Sequence, residues 1–333
     1  MTLFALLIVM ALERVTTKSK QFHIASLAES YFSFLQEKNW IKANAGLVSV
    51  ILVAAVPPFI AWLLVEYLPA LIVFFLYLVV LWVCLGCPVT RKTYKRYLEA
   101  AHREDFQACQ LHSMEFGNEG GELTNVGKQL VLVNYRQYAS VILFFIFLGI
   151  PGVIFYSLVK EWVFFNKRMA NVSAQNAATY DEKVHDETAH DKKVHDEQAC
   201  AVGESAHSSE FNKPVEEDID IDRAEVEVVQ VNQEHTDAAK LLFVLDWIPV
   251  RITAFGFLVV GHFSNALSAW FEIMTDASVS AYDALARVSK AAEDVGDCDA
   301  HLNEPLQLVK LVKRNIVFIL VALSLLTMVG VVA

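Results

Sequence analysis

Four long stretches of this 333-residue chain contain no charged residue: Ala45 to Val65, Tyr67 to Thr90, Ala139 to Val159 and Asn315 to Ala333. Their lack of a polar face excludes ordinary surface helices, and each is close to the roughly 20 residues an α-helix needs to cross a bilayer. The signatures of soluble enzymes are missing too. There is no recognisable Ser/His/Asp nucleophilic set, HExxH helix or GxGxxG turn. The nearest approach to a phosphate loop, Gly121 to Gln129, has five residues between its glycines where the loop needs four. It also places Gln129 after Lys128, where a magnesium-binding hydroxyl belongs. Only 5 cysteines occur. Cys84 and Cys87 form a CxxC without the second ligand pair that zinc needs, so neither a disulfide framework nor a metal site is expected.

What is present is apolar: 55% hydrophobic residues, with charged residues at only 20%. This points to an all-α, multi-pass transmembrane protein. Segment 45–90 reads as a helical hairpin with Glu66 and Tyr67 at its tip. Leu3 to Leu12 is too short for a comfortable span. It has neither the leading positive charge nor the small-residue cleavage site of a signal peptide, so a retained helix is expected, buried against the bundle or lying at the interface.

Orientation follows from Lys and Arg, because short loops rich in them stay cytoplasmic. Arg91, Lys92, Lys95 and Arg96 follow the second run, and Lys310, Lys313 and Arg314 precede the last, whereas the hairpin tip has neither residue type. Residues 13–44, 90–138 and 264–314 are therefore expected on the cytoplasmic side, the latter two as helical loops. The run 139–159 has positive residues at both ends and Gly149-Ile150-Pro151-Gly152 in its middle. It is either a re-entrant pair of half-helices, matched by a re-entrant or kinked segment around Pro249, or one of two full crossings with 241–263. Both arrangements imply a shared polar interior, since irregular backbone at membrane depth needs protein or water around it.

From Asn171 to Asp237 the chain changes character. Eighteen Asp and Glu face five Lys and Arg, a net of −13, which leaves about +2 on everything else. Such a segment has too little apolar surface to offset its ordering entropy, so a disordered acidic insert at 171–237 is expected between an N-terminal membrane part, 1–168, and a C-terminal one, 238–333. The insert repeats Val-His-Asp-Glu at a ten-residue interval and holds half of the ten histidines. Rings five apart diverge by about 140° on a helix and lack zinc spacing, so no metal site is assigned.

The most informative feature is Asp246-Trp247-Ile248-Pro249-Val250-Arg251, set in the apolar run from Leu241 to Phe263. A charge at membrane depth costs about 2.5–3.5 kcal/mol on insertion scales, so it survives beside a partner, a water-filled cavity or a site. With Asn134, Arg136 and Tyr138 before the third run, and His262 after the motif, these residues form a candidate ligand-binding constellation: Asn134, Arg136, Tyr138, Asp246, Pro249, Arg251 and His262. Pro249 removes an amide donor and frees the carbonyl of Leu245. Asp246 and Arg251 diverge on a straight helix. A kink could join them; otherwise Arg136 is a candidate partner for Asp246.

Several short motifs occur in an order that resembles the AmpE family. They are Met1-Thr2-Leu3-Phe4, Glu13-Arg14, Tyr94-x-x-Tyr97-Leu98-x-Ala100-Ala101, Asn134-x-Arg136-x-Tyr138, Leu245 to Arg251, and Gly261-His262 with Ala266-Leu267-x-Ala269-Trp270-Phe271. The resemblance covers about 1–168 and 238–333. It implies an inner-membrane regulatory signalling protein of Gram-negative bacteria, linked to β-lactamase induction and the cell-wall response. That family is in turn similar to adenosylcobinamide-phosphate synthase, the membrane amide-forming enzyme of cobalamin assembly. Asn134, Arg136, Pro249 and Arg251 align with its Asn-x-Arg and Pro-x-Arg segments, but Leu158 to Trp162 stands where it has Thr-Leu-Asp-Ser. A regulator is therefore expected ahead of an amide-forming enzyme. The lipid bilayer and an anionic small molecule, such as a nucleotide or a cell-wall precursor, are its expected partners. No cofactor is established, no nucleic acid is expected and the signalling partner is unidentified. A peptide covering 178–200 should bind zinc no more tightly than millimolar; tighter binding in a calorimetric titration would restore a metal role to the insert.

Overall fold

The computed structural model describes residues 2–16, 18, 22–38, 47–118, 122–199, 237–293 and 300–330, with backbone alone at 47, 170–199 and 300–302. Among the described residues there is no strand. The expected disordered insert has its side chains from 171 to 236 outside the described residues, and its backbone too from 200 to 236. The chain divides into two compact units, Met1–Val163 with Thr236–Ala333, and Phe164–His235. In the second, the described part is helical backbone ending at Ala199.

In the larger unit, α1 (Thr2–Val15) buries Ala5, Leu6, Val9 and Glu13, one helical face with a carboxylate at its end. Helix α2 (Ile24–Glu37) starts at His23, whose Nδ1 accepts from the Ala25 amide. Helices α3 (Leu47–Tyr67) and α4 (Ala70–Cys84) are apolar around their whole circumference, as expected of spans facing lipid on one side and protein on the other. Chain α4 ends at Leu85–Cys87, and Pro88 opens α5 (Pro88–His102), where its missing amide costs nothing. Helix α6 (Phe106–Glu115), capped by Asp105, folds back on α5. Around Tyr97, Cys109, Phe116, Val126, Leu130 and Val309 they share a small core of their own.

Helix α7 (Val126–Asn134) runs through a π-turn (Tyr135–Ala139) into α8 (Ser140–Ala199). The extra residue of the π-turn shows in the Ser140 amide, which donates to the carbonyl of Tyr135, five residues back. Within α8, Gly149 has φ 65° and ψ −156°, a conformation open essentially to glycine alone. The rings of Phe144 and Tyr156 stack there at 4.5 Å between centroids. A straight helix would hold them about 18 Å apart, so the chain reverses at Gly149. The apolar part of each arm is about 15 Å long, half of a bilayer core. The segment therefore folds as two half-helices turning at Gly149, the reversal that the re-entrant arrangement requires of it.

Helix α9 (Asp237–Val260) does not follow suit: it stays helical through Pro249, and the Thr253 hydroxyl donates to the Pro249 carbonyl at 2.8 Å. A turn at Gly261-His262 leads to α10 (Phe263–Thr275), α11 (Ala281–Ala292) and α12 (Ala300–Met328). Helix α12 leans on α9 where the Asn315 amide donates to the Thr253 carbonyl at 3.1 Å, and on α7 at Gly127. Among the described residues, five helical stretches are long and apolar enough to cross a membrane: Val48–Tyr67, Ala70–His102, Leu123–Met169, Asp237–Val260 and Asn303–Met328. The third is the one folded at Gly149.

The nearest atom to a Cβ built on Gly149 is 3.8 Å away, so only backbone conformation opposes a side chain there. Gly149→Ala should lower stability by about 1–3 kcal/mol, the cost of a disallowed backbone region. Thermal unfolding in detergent micelles measures this; an unchanged midpoint would contradict the reversal.

Candidate functional site

The π-turn carries two polar clusters, one on each side. The first is built on Asp246, which α9 places in the interior with 2% exposure. One oxygen, Oδ1, accepts from the Tyr135 hydroxyl at 2.8 Å and from the Tyr156 hydroxyl at 2.9 Å. These tyrosines belong to opposite arms of the re-entrant hairpin, so Asp246 fastens both arms to α9. Arg136 and Lys160 lie close enough for their charges to act on the same carboxyl. The Ser140 hydroxyl closes the turn by donating to the carbonyls of Tyr135 and Arg136 at 3.1 and 3.2 Å. Hydrogen bonds to an ionised group contribute about 1.5–3 kcal/mol, and leaving such a group unsatisfied costs more.

Arg251, five residues further along α9, does not meet Asp246. Its guanidinium lies over the Trp247 ring at 4.0 Å from the centroid, a cation–π contact. Nη1 donates to the Trp247 carbonyl at 3.0 Å and Nη2 to the Asp276 carbonyl at 2.8 Å. The Nε is buried and has no acceptor among the described residues. Beside it is a hollow of about 10 Å³ lined by Asp246, Trp247 and Arg251 with Phe243 and Val279. That is room for about one water-sized group, far below the roughly 300 Å³ at which small-molecule sites begin.

The second cluster surrounds the break between α4 and α5. Glu13 Oε1 accepts from Arg91 Nη2 and from the Tyr138 hydroxyl, both at 2.6 Å. Gly86, at φ 73°, leaves room for that carboxylate: a Cβ there would stand 2.0 Å from Glu13 Oε1. The Gly86 amide donates to the Gln137 carbonyl at 3.1 Å. His23 Nδ1 already accepts from Ala25, so its Nε2 carries the proton and donates to the Gly86 carbonyl at 2.8 Å. Lys18 donates to the Leu85 carbonyl. Burial pushes its ammonium below the ordinary lysine pKa, with Glu13 acting against the shift.

Of the seven residues expected at one site, the fold brings Arg136 to Asp246 and leaves Pro249 and Arg251 on the same helix. Tyr138 belongs to the Glu13 cluster. Asn134 bonds within its own helix, to the Leu130 carbonyl at 2.8 Å. His262 lies at an exposed turn, with its amide donating to the Ala292 carbonyl at 2.8 Å. Sequence reasoning missed Tyr135 and Tyr156. The signal was available in principle: a carboxylate at membrane depth needs donors, and Tyr135 sits inside the Asn134-x-Arg136-x-Tyr138 motif. Among the described residues no three His, Cys, Asp or Glu side chains group as metal ligands.

Comparison with known proteins gives this arrangement its place. The family described as regulatory signalling modulator protein AmpE matches residues 1–186 and 226–333. The chain belongs to the AmpE family. It is also 22% identical to Protein AmpE of Shigella flexneri, over 99% of both chains. No solved structure matches it. The AmpE match skips 187–225, the middle of the acidic insert, and includes every residue of both polar clusters. Together with the apolar helices, it makes this AmpE-family chain a multi-pass membrane protein of regulatory type. The amide-forming alternative gains no support from either match.

Because both tyrosines act on one oxygen, their removal should not be additive. Tyr135→Phe and Tyr156→Phe should each lower stability by about 1–3 kcal/mol. The double variant should depart from the sum by more than about 0.5 kcal/mol, the margin for independent sites. Equilibrium unfolding of the four proteins in mixed micelles decides; strict additivity would mean the clamp is not shared.

Proposed function

We propose that this AmpE-family chain acts in the inner membrane of a Gram-negative cell as a modulator of β-lactamase induction, and reports the presence of an anionic small molecule at the Asp246–Arg251 region. The observation that carries this reading is the unanswered Nε donor of buried Arg251, beside a hollow that also touches the Asp246 clamp. Arg136 supplies a second positive charge nearby. A phosphate or carboxylate oxygen suits such a donor, and Arg favours these planar or multi-oxygen acceptors.

The physical mechanism is a population shift. A ligand moves an equilibrium only if it binds one arrangement better than the other. As it stands the hollow has room for a water-sized group and not for a nucleotide or cell-wall precursor. A full ligand therefore favours an arrangement in which the hairpin and α9 stand further apart. Tyr135 and Arg136 follow α7 directly, so a change at the clamp passes into segment 90–138, and through Asp276 into 264–314. Asn134, Tyr138 and His262 flank these routes as part of the wider proposed site, and Pro249 sets the path of α9 between them.

The test is genetic. With Asp246→Ala or Arg251→Ala replacing the chromosomal gene, at wild-type abundance in the membrane, β-lactam-induced β-lactamase activity should fall to the level of a deletion strain. Full induction in both variants would remove the site; unchanged induction in the deletion strain would remove the role.

A further inference from the structure

Helix α10 divides into three faces. At about 100° per residue, Ala266, Ala269 and Ile273 fall on one side, and Ala266 and Ile273 are fully buried against the bundle. Ser264, Ser268, Glu272 and Thr275 form a second, polar side, where Glu272 accepts from Arg287 of α11 at 2.8 Å. Phe263, Leu267, Trp270, Phe271 and Met274 make a third side, a stripe about 100° wide between the other two. The protein leaves this third side largely uncovered: Phe263 and Phe271 are each 55% exposed and Met274 41%.

We propose that α10 is a membrane-interfacial helix, folded back along α9 with this third face among the acyl chains. Its 13 residues span about 20 Å, too little to cross. The stripe is continuous with the exposed side of the membrane helix α9. Trp270 packs on Phe255 with ring centroids 5.5 Å apart, and Phe255 and Val259 are exposed beside it at 42% and 43%. The same lipid that covers α9 therefore extends over α10. The Trp270 indole donates to the Arg251 carbonyl at 3.4 Å, which holds α10 against α9. The order of faces fits as well: an interfacial helix docked on a protein needs one side for protein, one for lipid and one for water. The positive-inside reading places 264–314 in the cytoplasm as a helical loop; the distribution of side chains ties its first helix to the membrane surface.

The wild-type chain reconstituted into phosphatidylethanolamine and phosphatidylglycerol vesicles, with a trace of lipid bearing a diazirine in its acyl chain, provides the test. After illumination, peptide mass spectrometry should find adducts on Phe263, Phe271 and Met274 as well as on Phe255 and Val259, with none on Ser268 or Glu272. Adducts on α9 without any on α10 would overturn the proposal. As a second measurement, a nitroxide at Phe271→Cys, with the native cysteines replaced by serine, should collide several-fold more with oxygen than with an aqueous nickel chelate, and one at Ser268→Cys the reverse. A label at 271 that is as open to nickel as that at 268, or shielded from both reagents by a second protein, would overturn it too.

Discussion

A carboxyl group buried among apolar helices has to be satisfied by the protein, because no water competes for it there. Asp246 meets this demand with two hydroxyl donors from the two arms of one re-entrant hairpin. Much of the larger unit is organised around that constraint. The hairpin must reverse at Gly149 for Tyr135 and Tyr156 to approach the same oxygen. Helix α9 must stay regular through Pro249 to present Asp246 inward, and that regularity turns Arg251 to another side, toward Trp247 and the Asp276 carbonyl.

The π-turn between α7 and α8 links this clamp to the Glu13 cluster. Its Tyr135 serves Asp246, and its Tyr138, three residues on, serves Glu13 and Arg91. An inserted residue in a helix changes the direction of everything after it, which is why such turns recur at functional sites. Here one short segment holds α9 on one side and the α1, α4 and α5 junction on the other. A regulatory protein that must transmit a change between its membrane body and its polar loops needs a connection of this kind, with charged groups whose rearrangement has a definite energetic consequence.

The uncharged runs made the membrane helices legible, because nothing else in a chain needs some 20 consecutive apolar residues. The positive residues on both sides of 139–159, with glycine and proline in its middle, already contained the re-entrant hairpin as one of two solutions. The burial of Asp246 with Arg136 nearby was likewise within reach of the cost of burying a charge. The Glu13 cluster was less so. Its members come from residues 13, 18, 23, 86, 91 and 138, and no local pattern links a glutamate in an N-terminal helix to a glycine seventy positions later. Tyr135 and Tyr156 escaped for a similar reason, since tyrosine in an apolar run reads equally well as packing or as a donor.

The sequence by itself determined which segments are apolar, where charge is placed at membrane depth, and that the chain is helical, for these depend on composition and on periods of a few residues. It also carried the AmpE resemblance. Which donors answer Asp246, that Arg251 faces elsewhere, and that α10 has three distinct faces were decided only by tertiary structure. Those outcomes depend on the direction in which side chains from distant segments point: the reversal at Gly149 and the extra residue of the π-turn set it for the two tyrosines, the regular path of α9 sets it for Arg251, and packing against α9 and α11 sets it for α10.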